Sequence, residues 1–516
     1  MTALARLADA MVAHGLTMAF GVPGSGPGLD LIDALEHRGV AFHTTRTEAA
    51  AAVIAGTMGR LSGRAGIAFS IKGPGLANMV PGLAACRFEG FPLVALCEAY
   101  SPDAPAALAH KRMDHGALAA ATIKGRRYLA ARGPDFAALA RWAQDEAPGP
   151  VLLEIAARAV DAASPVPDPV AEASARGSLL DLVAASRRPI VIAGTLALRR
   201  AWSGVLNALR VPVFTTAAAK GALDETLDHA AGVYTGAGRG LAPECTLLPR
   251  CDLVVGLGLR DGELLSSAMP GVPAVNIDPL GASLCAGLDP AATAGTAVFE
   301  VAMALLGERS WGIGETRAAQ AAMRKAMLAR GFLPARCFAL LEERFGPALR
   351  VVADTGSFCT VAEHAVRAGG PDGYLGSGQG RYMGLGIPMA LGAALHDPAR
   401  PVVLAVGDGG IGMAIGELRL AVDLKLPLLV VLMSDGSYGS IRARALRDGL
   451  TQRPLLAPGH VWTPIMAGLG LHATVAGDAP AFERALADWR PGQGPAFVEV
   501  PFAPDAYQAM VHELRG

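Results

Sequence analysis

The chain has 516 residues, of which 52% are hydrophobic and 18% are charged, and its formal net charge is -1. This length predicts two to four domains, and the balance of hydrophobic and charged residues argues against disorder. The near-neutral charge argues against a nucleic-acid-binding protein, and no apolar run reaches the roughly 18 residues of a membrane span.

The N-terminus and the cysteines indicate where the protein works. Residues 2–14 predict an amphipathic helix and lack the basic start and apolar core of a signal peptide, so secretion is not expected. The seven cysteines are scattered and form no CxxC motif. Such a set is typical of reduced thiols, most of them core residues, and we therefore expect a cytoplasmic protein.

The first third of the chain alternates helix and strand patterns. Apolar periodicity predicts helices and short strands in turn, with helices at 2–14, 29–37 and 49–61 and strands at 17–20, 40–43, 66–71 and 92–97. Because the strands are apolar and separated by helices, they predict a buried parallel sheet.

The rest of the chain repeats this pattern twice. A linker rich in Pro, Ser and Ala at 160–176 precedes a second set of strands, and a helical segment at 316–330 precedes a third. The predicted strands are 189–194, 211–216, 251–258, 273–278, 350–353, 402–406, 428–433 and 497–500. We predict an α/β fold of three doubly wound parallel-sheet domains, at 1–165, 166–330 and 331–516.

Two Asp-Gly sequences follow two predicted strands in the last third. Asp408 stands in the turn 407–410, and Asp435 follows the strand at 428–433. Each alone is typical of an ordinary turn. A right-handed crossover through a helix predicted at 415–423 would bring both carboxylates to one edge of the sheet, where open α/β sheets bind ligands.

The chemistry of this edge suits a metal-bound phosphate. Two carboxylates beside an open backbone form a hard-oxygen site for Mg²⁺, which completes its shell with phosphate oxygens and water. The glycines of 407–410 let the backbone approach a phosphate, and a helix N-terminus favours anions. No Walker GxxxxGK[ST] motif occurs. The segment therefore predicts metal-bridged binding of a diphosphate.

This segment resembles the thiamine diphosphate signature, in which GDG is followed about 25 to 30 residues later by a paired Asn. The resemblance implies that Asp408, Asp435 and the main-chain carbonyl of Ser437 bind Mg²⁺. Asp435 stands where the family often has Asn, and it adds a negative charge. The implied cofactor contacts in these two turns are Gly407, Asp408, Gly409, Gly410, Tyr438 and Gly439.

Residues 44–66 carry a second motif, with Glu48 near its start. Thr45 to Glu48 predicts a capping box, and an acid in the first turn suits the helix dipole. The stretch also resembles the family's HEQAAAxMAxGYARxxGxxG segment. That likeness implies that Glu48 contacts N1′ of the aminopyrimidine and favours the imino form of the 4′-amino group, which removes the C2 proton of the thiazolium. The two roles are compatible.

Three further segments resemble parts of the family's cofactor site. Residues 70–78 resemble its TSGPGxxN loop, residues 354–357 resemble the loop that supports the diphosphate, and residues 376–388 resemble its SGGLGxMGxGLPAAIGA segment. In the last of these, Met383 matches the hydrophobic wedge that bends the cofactor, although a Met can also simply fill core. The implied cofactor contacts are Gly73, Asn78, Asp354, Gly356, Ser357 and Met383.

Some residues in these segments depart from the family's pattern. Lys72 replaces a small polar residue, and it is either a surface lysine or a cation that meets an anionic group of the substrate. Arg381 and Tyr382 replace small residues. His110 and His115 lie where some decarboxylases have catalytic histidines, but a lone His is more often structural.

The resemblance covers nearly the whole chain, in the order pyrimidine-binding, central and diphosphate-binding domain. This is the order of the acetolactate synthase, pyruvate oxidase and 2-oxo-acid decarboxylase group, and the pattern is nearest to the acetolactate synthase large subunit. It implies a homodimer or homotetramer in which Glu48 of one subunit completes the site of another. Residues 259–262 and 96–100 depart from the synthase pattern, and the first departure makes FAD doubtful.

The group shares the decarboxylation of a 2-oxo acid, which leaves an enamine on the cofactor. An acetolactate synthase-like transferase joins it to a second carbonyl compound. The alternative is a lyase, either a non-ligating 2-oxo-acid decarboxylase or a 2-hydroxyacyl-CoA lyase. A non-catalytic homologue is a third reading, and the presence of Glu48, Asp408 and Asp435 argues against it. The sequence leaves the substrate open, and no nucleic-acid or membrane partner is expected.

Overall fold

The computed structural model describes residues 2–105, 107–108, 110–130, 135–156, 166–169, 179–260, 262–264, 271–278, 296–457 and 462–515. It contains three sheets, and every strand pair in them is parallel. Helices connect the strands in each sheet. The predicted α/β fold of three parallel-sheet domains is confirmed.

The N-terminal sheet has six strands in the order β2-β1-β3-β4-β6-β5. Its middle strands are buried along almost their whole length, as expected for strands covered on both faces. The strands are β1 Met18–Gly21, β2 Ala41–Thr44, β3 Gly66–Ser70, β4 Leu93–Ala99, β5 Gly125–Tyr128 and β6 Pro150–Ala156. The helices are α1 Ala3–Ala13, α2 Pro27–Glu36, α3 Glu48–Ser62, α4 Pro74–Glu89, α5 His115–Ala119 and α6 Phe136–Gln144.

The central sheet has five strands in the order β11-β10-β7-β8-β9. Alternate residues of β7 enter two different apolar clusters, Val191 in one and Ile190 in the other, so both faces are packed. The strands are β7 Pro189–Ala193, β8 Val213–Thr215, β9 Ala230–Val233, β10 Leu253–Leu257 and β11 Ala274–Ile277. The helices are α7 Leu179–Ala185, α8 Thr195–Arg199, α9 Ser203–Ala208, α10 Pro243–Leu247, α11 Thr296–Gly307 and α12 Ile313–Leu328.

The C-terminal sheet has six strands in the order β13-β12-β14-β15-β17-β16. They are β12 Arg350–Ala353, β13 Tyr374–Gly376, β14 Val402–Val406, β15 Leu428–Ser434, β16 His472–Val475 and β17 Ala496–Pro501. The helices are α13 Pro334–Phe345, α14 Ser357–Ala365, α15 Gly386–His396, α16 Asp408–Ile411, α17 Leu418–Asp423, α18 Gly439–Arg447, α19 Trp462–Leu469, α20 Ala479–Asp488 and α21 Pro504–Leu514.

The crossover from β14 to β15 decides where the site lies. The two strands are direct neighbours, with Val406 opposite Leu432, so their carboxyl ends share one edge as predicted. The helix predicted at 415–423 is present over those residues, and only its uniform type is corrected. Its first turn is a 3-10 helix at Ile415–Glu417, followed by α17. Gly416 sits in that turn, and glycine is a weak helix former.

The start of α3 corrects a second prediction. Thr47, not Thr45, is the N-cap, and its hydroxyl accepts the main-chain N–H of Ala50 at 3.1 Å. Thr45 lies too early to reach these donors, and its own hydroxyl donates to the Thr47 carbonyl at 2.8 Å. The Thr45 to Glu48 capping box is therefore wrong, while Glu48 still occupies the first turn.

The chain forms two compact units. The first combines Met1–Val170 with two pieces from the C-terminal third, Ile387–Pro398 and Ala414–Leu424, and the second holds the remainder. The predicted domain boundaries at 165 and 330 stay predictions. Among the helices of the described ranges, none has the length and apolar character needed to cross a membrane.

Candidate active site

Asp408 is the first residue of the short helix after β14, and its carboxylate is 9% exposed. One oxygen accepts the Ser434 hydroxyl at 2.8 Å. The other accepts the main-chain N–H groups of Asp435 at 2.9 Å and Gly436 at 3.0 Å. Asp408 therefore joins the ends of the two strands, and the juxtaposition predicted from the crossover is present.

Asp435 supplies the second carboxylate of this edge. Its Oδ1 accepts the N–H of Ser437 at 3.0 Å and the Ser437 hydroxyl at 3.1 Å, and its Oδ2 accepts from Gln508 at 3.3 Å. Burial raises the pKa of Asp435, and the nearby Asp408 carboxylate raises that pKa further. These two carboxylates stand close together in a partly buried place.

A divalent cation fits this donor set. Within the described ranges, no Lys or Arg forms an ion pair with Asp408 or Asp435, so their negative charge lacks a protein counterion. The same ranges hold no cluster of three or more His, Cys, Asp and Glu residues able to bind a metal. Two carboxylates at one edge match the few protein ligands that Mg²⁺ takes.

Asp354 ties three of the predicted segments together. It follows β12, is 1% exposed, and accepts the N–H groups of Gly384 at 2.9 Å and Gly386 at 3.3 Å. A Cβ added to Gly410 would lie 1.9 Å from Asp354 Oδ2. Burial raises the pKa of Asp354 to about 6. The loop at 354–357, the glycine-rich segment and the GDG turn therefore meet around this side chain.

The neighbouring glycines are packed so closely that a side chain at either position would clash. A Cβ on Gly409 would lie 2.7 Å from the Tyr438 ring and 2.8 Å from the Met383 sulfur. A Cβ on Gly439 would lie 2.3 Å from Asp435 Oδ2. The structure thus brings Met383, Tyr438 and both turns together. This cradle fits the close approach of a diphosphate to the backbone.

The loop at 354–357 leads into α14. Gly356 is the N-cap of this nine-residue helix, and the Ser357 hydroxyl hydrogen-bonds with the Gln508 side chain at 3.1 Å. Gly407 is the N-cap of α16. Both N-termini therefore lie at the carboxyl edge of the sheet, after β12 and β14.

Arg381, which departs from the family's small residues, has a structural role. Its guanidinium forms an ion pair with the buried Glu363, and Glu363 also pairs with Arg515 at 3.3 Å. These two cations lower the pKa of Glu363 against the effect of its burial. The Tyr382 N–H donates to the Ser377 hydroxyl at 2.8 Å.

Glu48 lies in the N-terminal domain as the first residue of α3, and it is 5% exposed. No residue of the described ranges forms a hydrogen bond or ion pair with its carboxylate. A Cβ on Gly75 would lie 3.2 Å from Glu48 Oε1, so the carboxylate lies against the loop at 70–78. The carboxylate has no protein partner among the described residues and is not fully enclosed, so it is available to the ring nitrogen of a bound ligand.

Glu417 positions the turn before Glu48, and no motif of the sequence points to it. Its buried carboxylate accepts the N–H groups of Arg46 at 3.0 Å and Thr47 at 2.9 Å. Burial raises the pKa of Glu417, and these hydrogen bonds oppose that rise. The partners are 370 positions apart or more in the chain. No local pattern could have revealed the contact.

His115 supports the loop at 70–78. Its Nε2 accepts the Gly73 N–H at 2.9 Å, and its Nδ1 faces Glu154 Oε1 at 2.8 Å, which assigns the proton to Nδ1. Both ring nitrogens are therefore used within the domain, as expected for a structural histidine. His110 is exposed. Asn78 lies exposed in the second turn of α4.

Three family models match the chain in the expected order. The N-terminal TPP binding domain, the central domain and the C-terminal TPP binding domain of thiamine pyrophosphate enzymes match residues 1–118, 177–288 and 354–500. The chain belongs to the thiamine pyrophosphate enzyme family. As a member it is a thiamine diphosphate-dependent enzyme, and that prediction is confirmed.

Relatives within the family are similar along most of the chain. An acetolactate synthase large subunit of Parasynechococcus marenigrum is 27% identical over 491 residues, covering 85% of this chain and 77% of that protein. A probable 2-ketoarginine decarboxylase of Pseudomonas aeruginosa is 28% identical over 480 residues, covering 86% and 83%. The acetolactate synthase isozyme 3 large subunit of Escherichia coli is 24% identical over 473 residues, covering 84% and 82%. The resemblance to the acetolactate synthase and 2-oxo-acid decarboxylase group is confirmed.

Proposed function

We propose that this enzyme decarboxylates a 2-oxo acid with thiamine diphosphate and Mg²⁺, and joins the remaining carbons to a second carbonyl compound. The observation that carries the proposal is the buried Glu48 carboxylate without a partner in the described structure. Similarity to acetolactate synthases supports the joining step. The domains are proposed at 1–165, 166–330 and 331–516.

The C-terminal domain would hold the metal and the diphosphate. Asp408, Asp435 and the Ser437 carbonyl would bind Mg²⁺, since they form the paired-carboxylate turn. The glycine cradle and the helix N-termini would bind phosphate oxygens through N–H groups. The residues proposed to hold the diphosphate are Asp354, Gly356, Ser357, Gly407, Gly409, Gly410, Tyr438 and Gly439.

The other proposed contacts serve the rings of the cofactor. Met383, beside Gly409, would press the cofactor into its bent shape, while Gly73 and Asn78 would border the pyrimidine. Bound thiamine diphosphate supplies the electron sink that accepts the electron pair of the broken carbon–carbon bond. Glu48 would hold a proton against N1′ of the pyrimidine, where burial keeps bulk water from competing.

A second candidate is decarboxylation without joining, by a 2-oxo-acid decarboxylase or an acyl-CoA lyase. The similarity to a probable 2-ketoarginine decarboxylase favours it, because the identity and coverage match those of the synthases. The two candidates share every residue role given above. They differ only in whether the remaining substrate carbons are joined to a second carbonyl compound after carbon dioxide leaves.

The central domain is proposed to work without FAD. The carboxylate of Glu263 accepts the Thr195 N–H at 3.0 Å and the hydroxyl of Thr216 at 2.8 Å. It lies within 2.8 Å of a Cβ placed on Gly194, at the turn after β7. Open α/β sheets bind phosphates at such turns. A carboxylate held there would repel the phosphates of a dinucleotide.

We also propose a cytoplasmic homodimer or homotetramer in which Glu48 of one subunit completes the site of another, as the family resemblance implies. The cysteines support a reducing compartment, because all six cysteines in the described ranges are unbridged. Cys285 lies outside these ranges. A small-molecule 2-oxo acid is the proposed substrate, with no nucleic-acid or membrane partner.

The test is carbon dioxide release from a panel of 2-oxo acids, with thiamine diphosphate and Mg²⁺ and with products identified by NMR. We expect release by the wild type and a rate at least about 100-fold lower for Glu48→Gln. An acetolactate-type product supports joining, whereas an aldehyde supports the second candidate. If the wild type binds the cofactor but releases no carbon dioxide from any of these acids, the proposed substrate class is wrong.

A further inference from the structure

A second feature of the N-terminal domain is a cavity of about 190 Å³ beside Lys72. This volume suits a small organic acid and is below that of most drug-sized ligand pockets. Two carboxylates and four cationic side chains line it, the latter being Lys72, Lys111, Arg112 and Arg126. The lining therefore carries an excess of positive charge.

The two carboxylates of the cavity are already engaged. Glu154 is 1% exposed, and it contacts His115 at 2.8 Å and Arg126 at 3.4 Å. Asp114 caps α5 by accepting the Ala117 N–H at 3.0 Å. Glu154 thus offsets the charge of Arg126. Asp114 keeps its negative charge, so the four cations exceed the two lining carboxylates by two positive charges.

Lys72 and Arg112 share one aromatic ring. The Arg112 guanidinium lies 5.3 Å from the centre of the Tyr100 ring, and the Lys72 ammonium lies 5.5 Å from it. Arg112 donates to the main-chain carbonyls of Ala104 and Pro105, which hold the guanidinium but do not neutralise it. Lys72 is 3.9 Å from Glu98, whose other oxygen accepts the Gly28 N–H. Glu98 therefore partly offsets the charge of Lys72, whereas the Arg112 guanidinium has, within the described part of the chain, only the ring and neutral carbonyls as partners.

Lys111 adds a third positive charge in a constrained backbone. Its φ is 59°, in the left-handed region that residues other than glycine rarely adopt. No carboxylate in the described ranges pairs with its ammonium group. Backbone conformations of this kind persist where the surrounding structure fixes them, and they cluster at ligand sites.

The segment that carries Lys111 packs against the loop at 70–78, which resembles the family's cofactor loop. The Lys111 carbonyl would lie only 2.2 Å from a Cβ on residue 73, so Gly73 is required for this packing. Gly73 is also held by His115, which lines the cavity. Gly75, two residues further along, lies against Glu48. The cavity therefore borders the loop at 70–78, which lies against Glu48.

We propose that Lys72, Lys111 and Arg112 bind a second anionic group of the substrate, so that the substrate is a 2-oxo acid with a carboxylate at its far end. This inference rests on the proposed function and narrows it. Pyruvate has no such group. A 2-oxo acid with a cationic side chain, such as 2-ketoarginine, would be repelled by the same three residues.

A matched pair of substrates tests the idea, because 2-oxoglutarate and 2-oxopentanoate have the same chain length and differ only at the far end. We expect wild-type kcat/KM to favour 2-oxoglutarate by about 100-fold or more. Arg112→Met should lower kcat/KM for 2-oxoglutarate by about 10- to 100-fold and change that for 2-oxopentanoate by less than about 3-fold. Arg112→Lys, which keeps the charge, should retain most of the preference.

The control variant is Arg484→Met, on the exposed surface of α20. It should leave kcat/KM unchanged for both substrates. In a further arm, 2-oxo-4-phosphonobutanoate replaces the far carboxylate with a phosphonate. A preference for it over 2-oxoglutarate would support the anion site and overturn the assignment of a carboxylate as the far group. Equal kcat/KM for 2-oxoglutarate and 2-oxopentanoate would overturn the proposal.

Calorimetric titration of glutarate into the protein, with and without cofactor, gives a readout that does not need turnover. We expect glutarate to bind at least about 10-fold more tightly than pentanoate, and Arg112→Met to remove that difference. If glutarate binding depends on Arg112, the anion site is supported. If, in addition, no 2-oxo acid yields carbon dioxide, the proposed reaction is overturned while the anion site stands. Glutarate that binds no better than pentanoate would overturn the anion site.

Discussion

The metal end, meaning the region of Asp408 and Asp435 proposed to hold the diphosphate, and the pyrimidine end, meaning the region of Glu48 proposed to contact the pyrimidine, are built differently. Asp408 and Asp435 are linked by hydrogen bonds from the main chain and from side chains of their own domain. Glu48 is similarly buried, but no described residue hydrogen-bonds its carboxylate. The metal end is therefore preorganised by the fold, whereas the carboxylate proposed to handle a proton is left free for the ligand.

The largest effect is expected at the metal end. Asp408→Ala removes a proposed Mg²⁺ ligand and also the acceptor of the Asp435 and Gly436 N–H groups. We expect the Kd of thiamine diphosphate at saturating Mg²⁺ to rise by about 100-fold or more, measured by quenching of protein fluorescence. Asp408→Asn keeps one acceptor oxygen and should lie between this variant and the wild type. Unchanged cofactor affinity in both variants would contradict the metal assignment.

The pyrimidine end depends on Glu417, which holds the turn before Glu48. Glu417→Ala leaves the N–H groups of Arg46 and Thr47 without their charged acceptor, and it should lower the free energy of unfolding by about 1–3 kcal/mol. We also expect the rate of carbon dioxide release to fall by about 10-fold, since Glu48 loses its fixed position. Glu300→Ala, at an exposed position of α11, is the control and should change neither quantity.

The outcome for Glu417→Ala separates positioning from stability. If the variant loses stability but releases carbon dioxide at the wild-type rate, Glu417 does not position Glu48. Glu417→Gln keeps one acceptor oxygen and should recover part of both losses. Urea unfolding and the carbon dioxide assay on the same preparations measure the two quantities.

The smallest effect is expected at Asp435. Asp435→Asn restores the family's usual residue, keeps an oxygen for the metal and removes the repulsion from Asp408 that raises the pKa of Asp435. We expect the Kd of Mg²⁺ to change by less than about 5-fold, from metal titrations at fixed thiamine diphosphate. A loss as large as that of Asp408→Ala would show that the second negative charge is essential.

The sequence predicted the fold well because each sheet is built from short apolar strands between turn signals. The strands at 350–353 and 402–406 have the predicted bounds. The helical segment at 415–423 also has the predicted bounds, and its 3-10 first turn escaped prediction because helix periodicity continues through such a turn. The error at Thr45 arose because Thr47 offers the same hydroxyl two residues later.

The site was predictable only where its residues lie near one another in the sequence or after neighbouring strands. The meeting of Asp408 and Asp435 follows from the crossover rule. Glu417, the ion pair of Arg381 with Glu363, and the cavity beside Lys72 depend on contacts between distant segments. Side-chain packing of this kind leaves no local pattern.

The most direct test of the central claim is the rate at which the C2 proton of bound thiamine diphosphate exchanges with deuterium, followed by NMR in wild type and Glu48→Gln. We predict that the substitution slows exchange by at least about 100-fold while the cofactor remains bound, because Gln cannot share a proton with N1′. Equal exchange rates in the two proteins would contradict the role of Glu48 and the account of the site built on it.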